Sequence, residues 1–186
     1  ARHASPGGAA RAAGGAAGPA AAGARQAAVV GGDSSVVRTR IATELTDGGL
    51  SWLCPIDYLV EVGKPALARG ARAAGRSAPP LVAHVLVSPR ADRDAVRKAT
   101  RTLLGYYGGA IFYQRMFAAA GYPLGPNREI ADGLIDTLLV SGAEAAIADG
   151  LGERLDRGMD ELLISLVPSD DMRADEDALL RILGRI

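Results

Sequence analysis

The stretch LVAHVLV, residues 81–87, decides the fold class. It is almost continuously apolar and rich in valine, a composition typical of a strand that is buried on both faces of a parallel sheet. Shorter apolar runs predict two further strands at residues 50–53 and 161–167, and a weaker one at residues 27–30. The sequence therefore supplies three or four strands of one sheet.

The segments between these strands have apolar residues at helical spacing. They predict helices over residues 34–45, 56–74 (with a kink or break at Pro65), 92–120 (interrupted at Gly108-Gly109), 129–139, 142–157 and 175–186. Strands that alternate with helices indicate an α/β fold in which right-handed crossovers join parallel strands. Three or four strands are too few to close a barrel on their own.

Composition narrows the class of function. The sequence has 186 residues, a formal net charge of zero and 48% hydrophobic residues, values typical of a globular domain. It contains neither the basic stripe of a nucleic-acid-binding protein nor the run of about 18 apolar residues that a membrane span needs. The single cysteine, Cys54, excludes an internal disulfide and fits a cytoplasmic location. We therefore expect no nucleic-acid or membrane partner.

The beginning of the chain differs in composition from the rest. Residues 1–25 consist almost entirely of Ala, Gly, Pro and Arg. Such a segment has little large apolar surface to bury on folding. We therefore expect a disordered tail over residues 1–32 and one folded domain over residues 33–186.

Several segments follow one another in an order that points to a known family. They are IATELTDGGLSWLCP at residues 41–55, AAGR at 73–76, the strand at 81–87, FYQRMF at 112–117, VSGAE at 140–144 and GMDEL at 158–162. In sequence and order this succession resembles the C-terminal part of luciferase-like monooxygenases. Within that superfamily it is most similar to the enzymes that use the deazaflavin coenzyme F420. The resemblance covers residues 36–186.

The resemblance implies a fold, an activity and a cofactor. Members of the family are TIM (β/α)8 barrels, of which this chain would supply the C-terminal three to four β/α units. They transfer a hydride between F420, or alternatively FMN, and a small organic substrate, and some of them activate oxygen. Because the N-terminal half of the barrel would be absent, the resemblance implies a truncated fragment that is too incomplete to catalyse a reaction alone.

In such a barrel the functional residues lie at the C-terminal ends of the strands. One candidate place is the end of the predicted strand at 50–53, where we assign Ser51, Trp52 and Cys54 to cofactor binding. The indole can form a wall for a planar ring, and the thiol can contact one. The alternative is that Trp52 is a core residue and Cys54 a small buried hydrophobic group.

Two loops are further candidate places. In the loop at residues 31–35, Ser34 and Ser35 precede a predicted helix, and their hydroxyls and backbone N–H groups predict a cradle for the cofactor phosphate. An ordinary capped turn is the alternative interpretation. The loop Pro168-Ser169-Asp170 follows the last strand and is interpreted as a surface loop.

Other polar residues are assigned structural roles. His84 lies in the middle of its strand, away from the strand end where a general base is needed, and is predicted to be a hydrogen-bonded core residue. The acidic cluster that includes Asp170, Asp171 and Asp175 is interpreted as the solvated start of a helix. The sequence shows no nucleophile–base pair and no metal-ligand spacing. Neither is required for hydride transfer, because the cofactor carries that chemistry.

A second class of function stays open. A non-catalytic α/β interaction module would associate through the unpaired edges of a short parallel sheet, with itself or with another protein. A doubly wound phosphate-binding domain is a weaker alternative, because the glycine-rich loop at residues 31–35 lacks a dinucleotide fingerprint.

Overall fold

The structure, a computed structural model, describes residues 27–30 and 48–185. In these residues five parallel strands form one sheet: β1 (Ala27–Val30), β2 (Gly48–Ser51), β3 (Leu81–Ser88), β4 (Leu139–Ser141) and β5 (Glu161–Leu166). The helices are α1 (Ile56–Tyr58), a π-helical turn (Leu59–Gly63), α2 (Lys64–Ala73), α3 (Arg93–Tyr107), α4 (Ile111–Ala119), a 3-10 turn (Pro126–Arg128), α5 (Asp132–Leu138), α6 (Glu144–Asp156) and α7 (Met172–Leu183). The predicted α/β class with parallel strands is confirmed.

The strand β3 lies at the centre of the sheet. Along one edge it pairs with β5 over six residues, from Val82 opposite Glu161 to Val87 opposite Leu166. The order of the remaining strands is β1, β2 and then β3, and all pairs are parallel. The long apolar run that predicts β3 therefore forms the strand with the most partners.

The other edge of β3 is shared by two strands. Neighbouring residues of a strand direct their backbone groups to opposite sides, so the even-numbered residues of β3 face one edge. The carbonyl of Pro80 accepts from the N–H of Gly49 in β2 at 2.8 Å, and the carbonyl of Ser88 accepts from Gly142, directly after β4, at 3.1 Å. β2 and β4 thus occupy the two ends of this edge. Among the described residues no strand pairs with the middle of the edge, where His84 lies.

The prediction for β2 is wrong by two residues. The sequence places the strand at residues 50–53, whereas it runs from Gly48 to Ser51. It ends early because Leu53 has a positive φ of 52°, which turns the chain away from the sheet. It begins early because the backbone of Gly49 pairs with that of Pro80.

The short strand β4 is absent from the predictions. It has three residues and follows α5 without a break. The apolar run around Leu138 and Leu139 fits either a helix or a strand, and the sequence predicts it as the end of the helix at 129–139. The backbone changes to extended geometry at Leu139, where φ is −108° and ψ is 137°.

The helical path before β3 contains a widened turn. The sequence predicts a kink or a break at Pro65, and the structure instead has a π-helical turn directly before it. In that turn the N–H of Lys64 bonds to the carbonyl of Leu59, five residues earlier. Pro65 then lies in the first turn of α2, where its missing N–H leaves no hydrogen bond unmade.

Two hydrophobic clusters pack against β3. In one, Val85 and Val87 pack with Ile147 and Leu151 of α6 and with residues of α7. The larger cluster contains the other buried apolar residues of β3, together with buried residues of α3, α4 and α5. The predicted interruption at Gly108-Gly109 is confirmed, since α3 ends and α4 begins around it.

Some predictions fall outside the described residues. These are the helix at residues 34–45, the loop at residues 31–35 and the tail at residues 1–26. The weak strand predicted at residues 27–30 is confirmed as β1, which pairs with β2. Those four residues lie within the range predicted as a tail, so the sheet begins before the predicted domain boundary at residue 33.

Candidate active site

The candidate site lies where the chain leaves β2 and passes the middle of β3. A small cavity of about 130 Å3 opens there. Its lining includes Trp52, His84 and Leu86, together with Leu103 and Tyr107 of α3 and Ser165 of β5. Ser165, Leu103 and Tyr107 were not among the predicted site residues, because nothing in their sequence context distinguishes them from other sheet and helix positions.

Both ring nitrogens of His84 have hydrogen-bond partners. The backbone N–H of Leu53 donates to Nδ1 at 3.3 Å, and Nε2 lies 2.9 Å from the hydroxyl oxygen of Ser165. A backbone N–H can only donate, so Nδ1 must be the unprotonated nitrogen and Nε2 must carry the proton. His84 is therefore a neutral imidazole that donates to Ser165.

The surroundings of His84 oppose its protonation. The residue is only 3% exposed, and burial lowers its pKa from 6.5 to about 4. Protonation would also turn the Nδ1 acceptor into a donor facing the N–H of Leu53. The prediction of a hydrogen-bonded core histidine is confirmed.

The gap in the sheet beside His84 is filled by a side chain. Ser51 is fully buried, and its hydroxyl oxygen accepts from the backbone N–H of His84 at 3.4 Å. A hydroxyl thus replaces the carbonyl that a continuing β2 would have offered. Ser51 was predicted as a cofactor residue, and the structure places it behind the cavity rather than in its lining.

Trp52 forms one wall of the cavity. Its indole stacks on the imidazole of His84 with ring centroids 4.0 Å apart and an interplanar angle of 4°. The residue is half-buried and packs on the larger hydrophobic cluster. The positive φ of Leu53 lets the chain turn while the N–H of that residue reaches His84. Trp52 is thus held between the core and the cavity.

Cys54 lies in the core. It is 3% exposed and belongs to the larger hydrophobic cluster. Burial raises the pKa of its thiol to about 12, so the sulfur stays protonated at neutral pH. This is the buried hydrophobic position that the sequence offers as the alternative. The other two predicted cofactor residues, Ser34 and Ser35, lie outside the described residues.

The interpretation of the acidic cluster as fully solvated is wrong for Asp175. This carboxylate is 4% exposed and accepts from Nε of Arg90 at 2.6 Å and from the hydroxyl of Ser169. Asp171 is the N-cap of α7, where its side chain accepts from the N–H of Ala174. The loop after β5 is thereby fastened to the segment after β3, at the same end of the sheet.

A wider groove of about 520 Å3 lies between α6 and the start of α3. Five arginines line it: Arg90, Arg93, Arg97, Arg154 and Arg157. Four of the five have a carboxylate partner: Asp175 for Arg90, Asp136 for both Arg93 and Arg97, and Asp57 for Arg157. Arg154 instead donates to the backbone carbonyls of Gly150 and Thr137. We therefore assign these arginines to fastening the helices together.

Two classes of site are not found in the part of the chain that the structure describes. No three His, Cys, Asp or Glu side chains cluster there as ligands for a metal ion. Within the same residues, no helix has the length and apolar character needed to span a membrane.

Similarity to known proteins is found at the level of structure. No protein-family model and no curated protein sequence matches the chain. An F420-dependent secondary alcohol dehydrogenase in complex with an F420-acetone adduct superposes with a TM-score of 0.63 at 15% identity, over 85% of this chain and 47% of that one. The coenzyme F420-dependent tetrahydromethanopterin reductase from Methanopyrus kandleri superposes with a TM-score of 0.53 at 20% identity, over 82% and 48%.

A flavin enzyme has the same fold. The oxygenating constituent of 3,6-diketocamphane monooxygenase from Pseudomonas putida, in complex with FMN, superposes with a TM-score of 0.53 at 12% identity, over 83% of this chain and 44% of that one. The chain therefore has the fold of the luciferase-like F420- and flavin-dependent barrels and spans less than half the length of each of these three structures. The predicted partial-barrel fold is confirmed.

Proposed function

We propose that this chain is part of a luciferase-like oxidoreductase that uses F420, or alternatively FMN, to transfer a hydride to or from a small organic substrate. The observation that carries the proposal is the position of Trp52. Its indole is held flat against His84 at the carboxyl end of β2, which is the end of a barrel strand where cofactors and substrates bind. The fold around it is shared with enzymes that bind F420 and FMN.

Each predicted cofactor residue has a defined part in this proposal. Trp52 forms a wall beside the cofactor ring, and Ser51 supports that wall through the backbone of His84. Cys54 packs in the core next to the wall and does not contact the ring. Ser34 and Ser35 would hold the phosphate. When bound, the cofactor supplies the hydride chemistry, and the protein binds and orients it.

The size of the cavity agrees with a partial site. At about 130 Å3 it is smaller than the roughly 300 Å3 at which ligand pockets begin. It cannot enclose a tricyclic ring by itself. The proposal therefore assigns one wall of the cofactor site to this chain.

Cofactor titrations test the proposal. F420 and FMN are titrated separately into the 186-residue chain and followed by calorimetry and by the fluorescence of Trp52, the sole tryptophan. We expect saturable binding of one cofactor that quenches this fluorescence. Trp52→Ala should weaken binding about tenfold, equivalent to about 1.4 kcal/mol. Tyr106→Ala is the matched control, because Tyr106 is 84% exposed and lies outside the cavity lining. The absence of saturable binding for both cofactors would contradict the proposal.

Self-association through the sheet edge is a second candidate function, and β5 favours it. The residues of β5 after Glu161 are half-buried, although most of them are large and apolar. Among the described residues β5 pairs only with β3. Because Val167 donates to Val87 of β3, the odd-numbered residues of β5 face β3, and the backbone groups of Leu162, Ile164 and Leu166 point outward. An unpaired edge of this kind is a template for another strand.

Hydrogen exchange combined with light scattering tests this second candidate. If copies associate through β5, the mass exceeds 19.1 kDa, and dilution accelerates exchange of the amides of Leu162, Ile164 and Leu166. The amides of Leu163 and Ser165 face β3 and serve as internal controls that dilution leaves unchanged. A monomer at all concentrations would contradict association by this edge.

A further inference from the structure

We propose that Met172, the first residue of α7, is a site of reversible oxidation by hydroperoxides, and that only one of the two lone pairs of its sulfur reacts in the folded chain. The product is then a single epimer of methionine sulfoxide. The inference goes beyond the proposed function and does not rest on it, because the reaction needs no cofactor.

Exposure distinguishes Met172 from the other methionines. The chain contains three of them. Met116 and Met159 are buried in the larger hydrophobic cluster, whereas Met172 is 42% exposed. A peroxide must touch the sulfur to transfer its oxygen, so Met172 is the methionine that reacts while the chain is folded.

One side of the Met172 sulfur is covered by the loop after β5. The backbone N–H of Ser169 donates to Sδ at 3.3 Å. The hydroxyl of Ser169 lies 3.9 Å from the same sulfur, but it also donates to the carboxylate of Asp175, which is a much stronger acceptor than a thioether. The N–H therefore occupies one lone pair of the sulfur and leaves the other free.

The loop that covers the sulfur is held in place by charged groups. The buried carboxylate of Asp175 accepts from the hydroxyl of Ser169 and from Nε of Arg90. The same guanidinium donates to the backbone carbonyl of Asp171, whose side chain caps α7. The N–H of Ser169 is thus fixed against the sulfur, so the covered lone pair stays covered.

Oxidation attaches an oxygen atom to the free lone pair. That lone pair attacks the terminal oxygen of the hydroperoxide, so an S–O bond forms while the O–O bond breaks. The sulfur loses two electrons, and the leaving oxygen takes up the proton of the terminal one, so hydrogen peroxide is reduced to water. The sulfoxide sulfur is a stereocentre. Reaction at one lone pair therefore gives one epimer.

Peroxide treatment of the folded 186-residue chain tests the proposal. After hydrogen peroxide is removed and the chain is digested, we expect a mass gain of about 16 Da, one oxygen atom, on the peptide that contains Met172 and on no other methionine peptide. Portions of this peptide are then given to two methionine sulfoxide reductases, each of which reduces one epimer. One enzyme should restore about five times as much methionine as the other, the ratio that one neutral hydrogen bond provides.

The controls separate the effect of the fold from that of the reagent. Oxidation in urea should modify all three methionines and give equal amounts of the two epimers at Met172. Ser169→Thr keeps the N–H and the hydroxyl and should keep the selectivity, whereas Ser169→Pro removes the N–H and should bring the ratio close to one. Equal reduction by the two enzymes after oxidation of the folded wild-type chain, or oxidation of Met116 or Met159 as fast as Met172, would overturn the proposal.

Discussion

The indole of Trp52 and the imidazole of His84 lie parallel, 4.0 Å apart between centroids. The two residues come from different strand segments and are brought together because β2 ends at Ser51, while the backbone of β3 continues past it. The stacking therefore depends on a neutral, correctly oriented ring of His84. Lowering the pH, which protonates this ring, tests the arrangement.

We expect the free energy of unfolding to fall as the pH is lowered from about 6.5 to about 4. His84 has a pKa of about 4 in the folded chain, below its usual 6.5. Between these values the unfolded chain binds the proton more readily, so acidification favours unfolding. His84→Asn retains an acceptor for the N–H of Leu53 but does not titrate. Urea unfolding across this pH range should show a smaller loss of stability in the variant, and equal pH dependence would contradict the prediction.

The backbone at Leu53 gives a second prediction. Leu53 is 1% exposed and has a φ of 52°, a conformation that costs a non-glycine residue about 1–2 kcal/mol. Both Leu53→Gly and Leu53→Ala should be less stable than wild type, since each removes a buried side chain. The glycine variant should nevertheless be the more stable of the two, by about 1 kcal/mol. Thermal unfolding of the pair checks this, and the opposite order would show that the left-handed backbone carries no strain.

Two glycines of α6 form a matched pair with opposite expected effects. A Cβ added to Gly150 would lie 2.7 Å from Cγ1 of Val140, whereas one added to Gly152 meets nothing within 4 Å. Gly152→Ala should stabilise the protein by about 0.5–1 kcal/mol. Gly150→Ala should destabilise it by about 1–3 kcal/mol, because the branched side chain of Val140 has little freedom to move away. Denaturant unfolding distinguishes the two variants, and stabilisation by both would show that α6 does not pack closely on β4.

The pair formed by Arg90 and Asp175 should have unequal mutational costs. Asp175 is 4% exposed, whereas the side chain of Arg90 is 38% exposed. Arg90→Met leaves a buried carboxylate without its cation and should be the more destabilising of the two changes. Asp175→Asn leaves an arginine that water can reach and should cost less. Unfolding free energies of both variants and of the double variant measure this asymmetry, and equal single costs would contradict it.

The sequence correctly predicts the strands and helix boundaries that a short stretch of residues determines by itself. β3 and β5 are mostly apolar runs, and the break at Gly108-Gly109 follows from two adjacent residues with weak helical preference. The sequence does not predict β4, because the three residues of this strand, Leu139–Ser141, directly follow a helix and are too few to show a strand periodicity. Its extended backbone depends on pairing with β3, more than 50 positions earlier in the chain.

The candidate site was predicted in part. Trp52 was identified from its place at a strand end, and it does line the cavity. Its position is fixed by stacking on His84, which is 32 positions away in sequence. His84 is in turn held by Ser165, which is 113 positions from Trp52. Burial of Ser51 and of Asp175 likewise depends on tertiary packing, which residue type and spacing do not reveal.

The pairing of β3 with three other strands has a consequence for the order in which the chain folds. The residues paired with it in the neighbouring strands begin at Gly49 and extend to Leu166, so the sheet cannot assemble from any short local segment. Contacts of such large sequence separation slow the folding reaction, since the entropy of closing long loops is lost before the contacts form. The kinetics of this chain should therefore be set by how quickly β5 reaches β3, rather than by the formation of its helices.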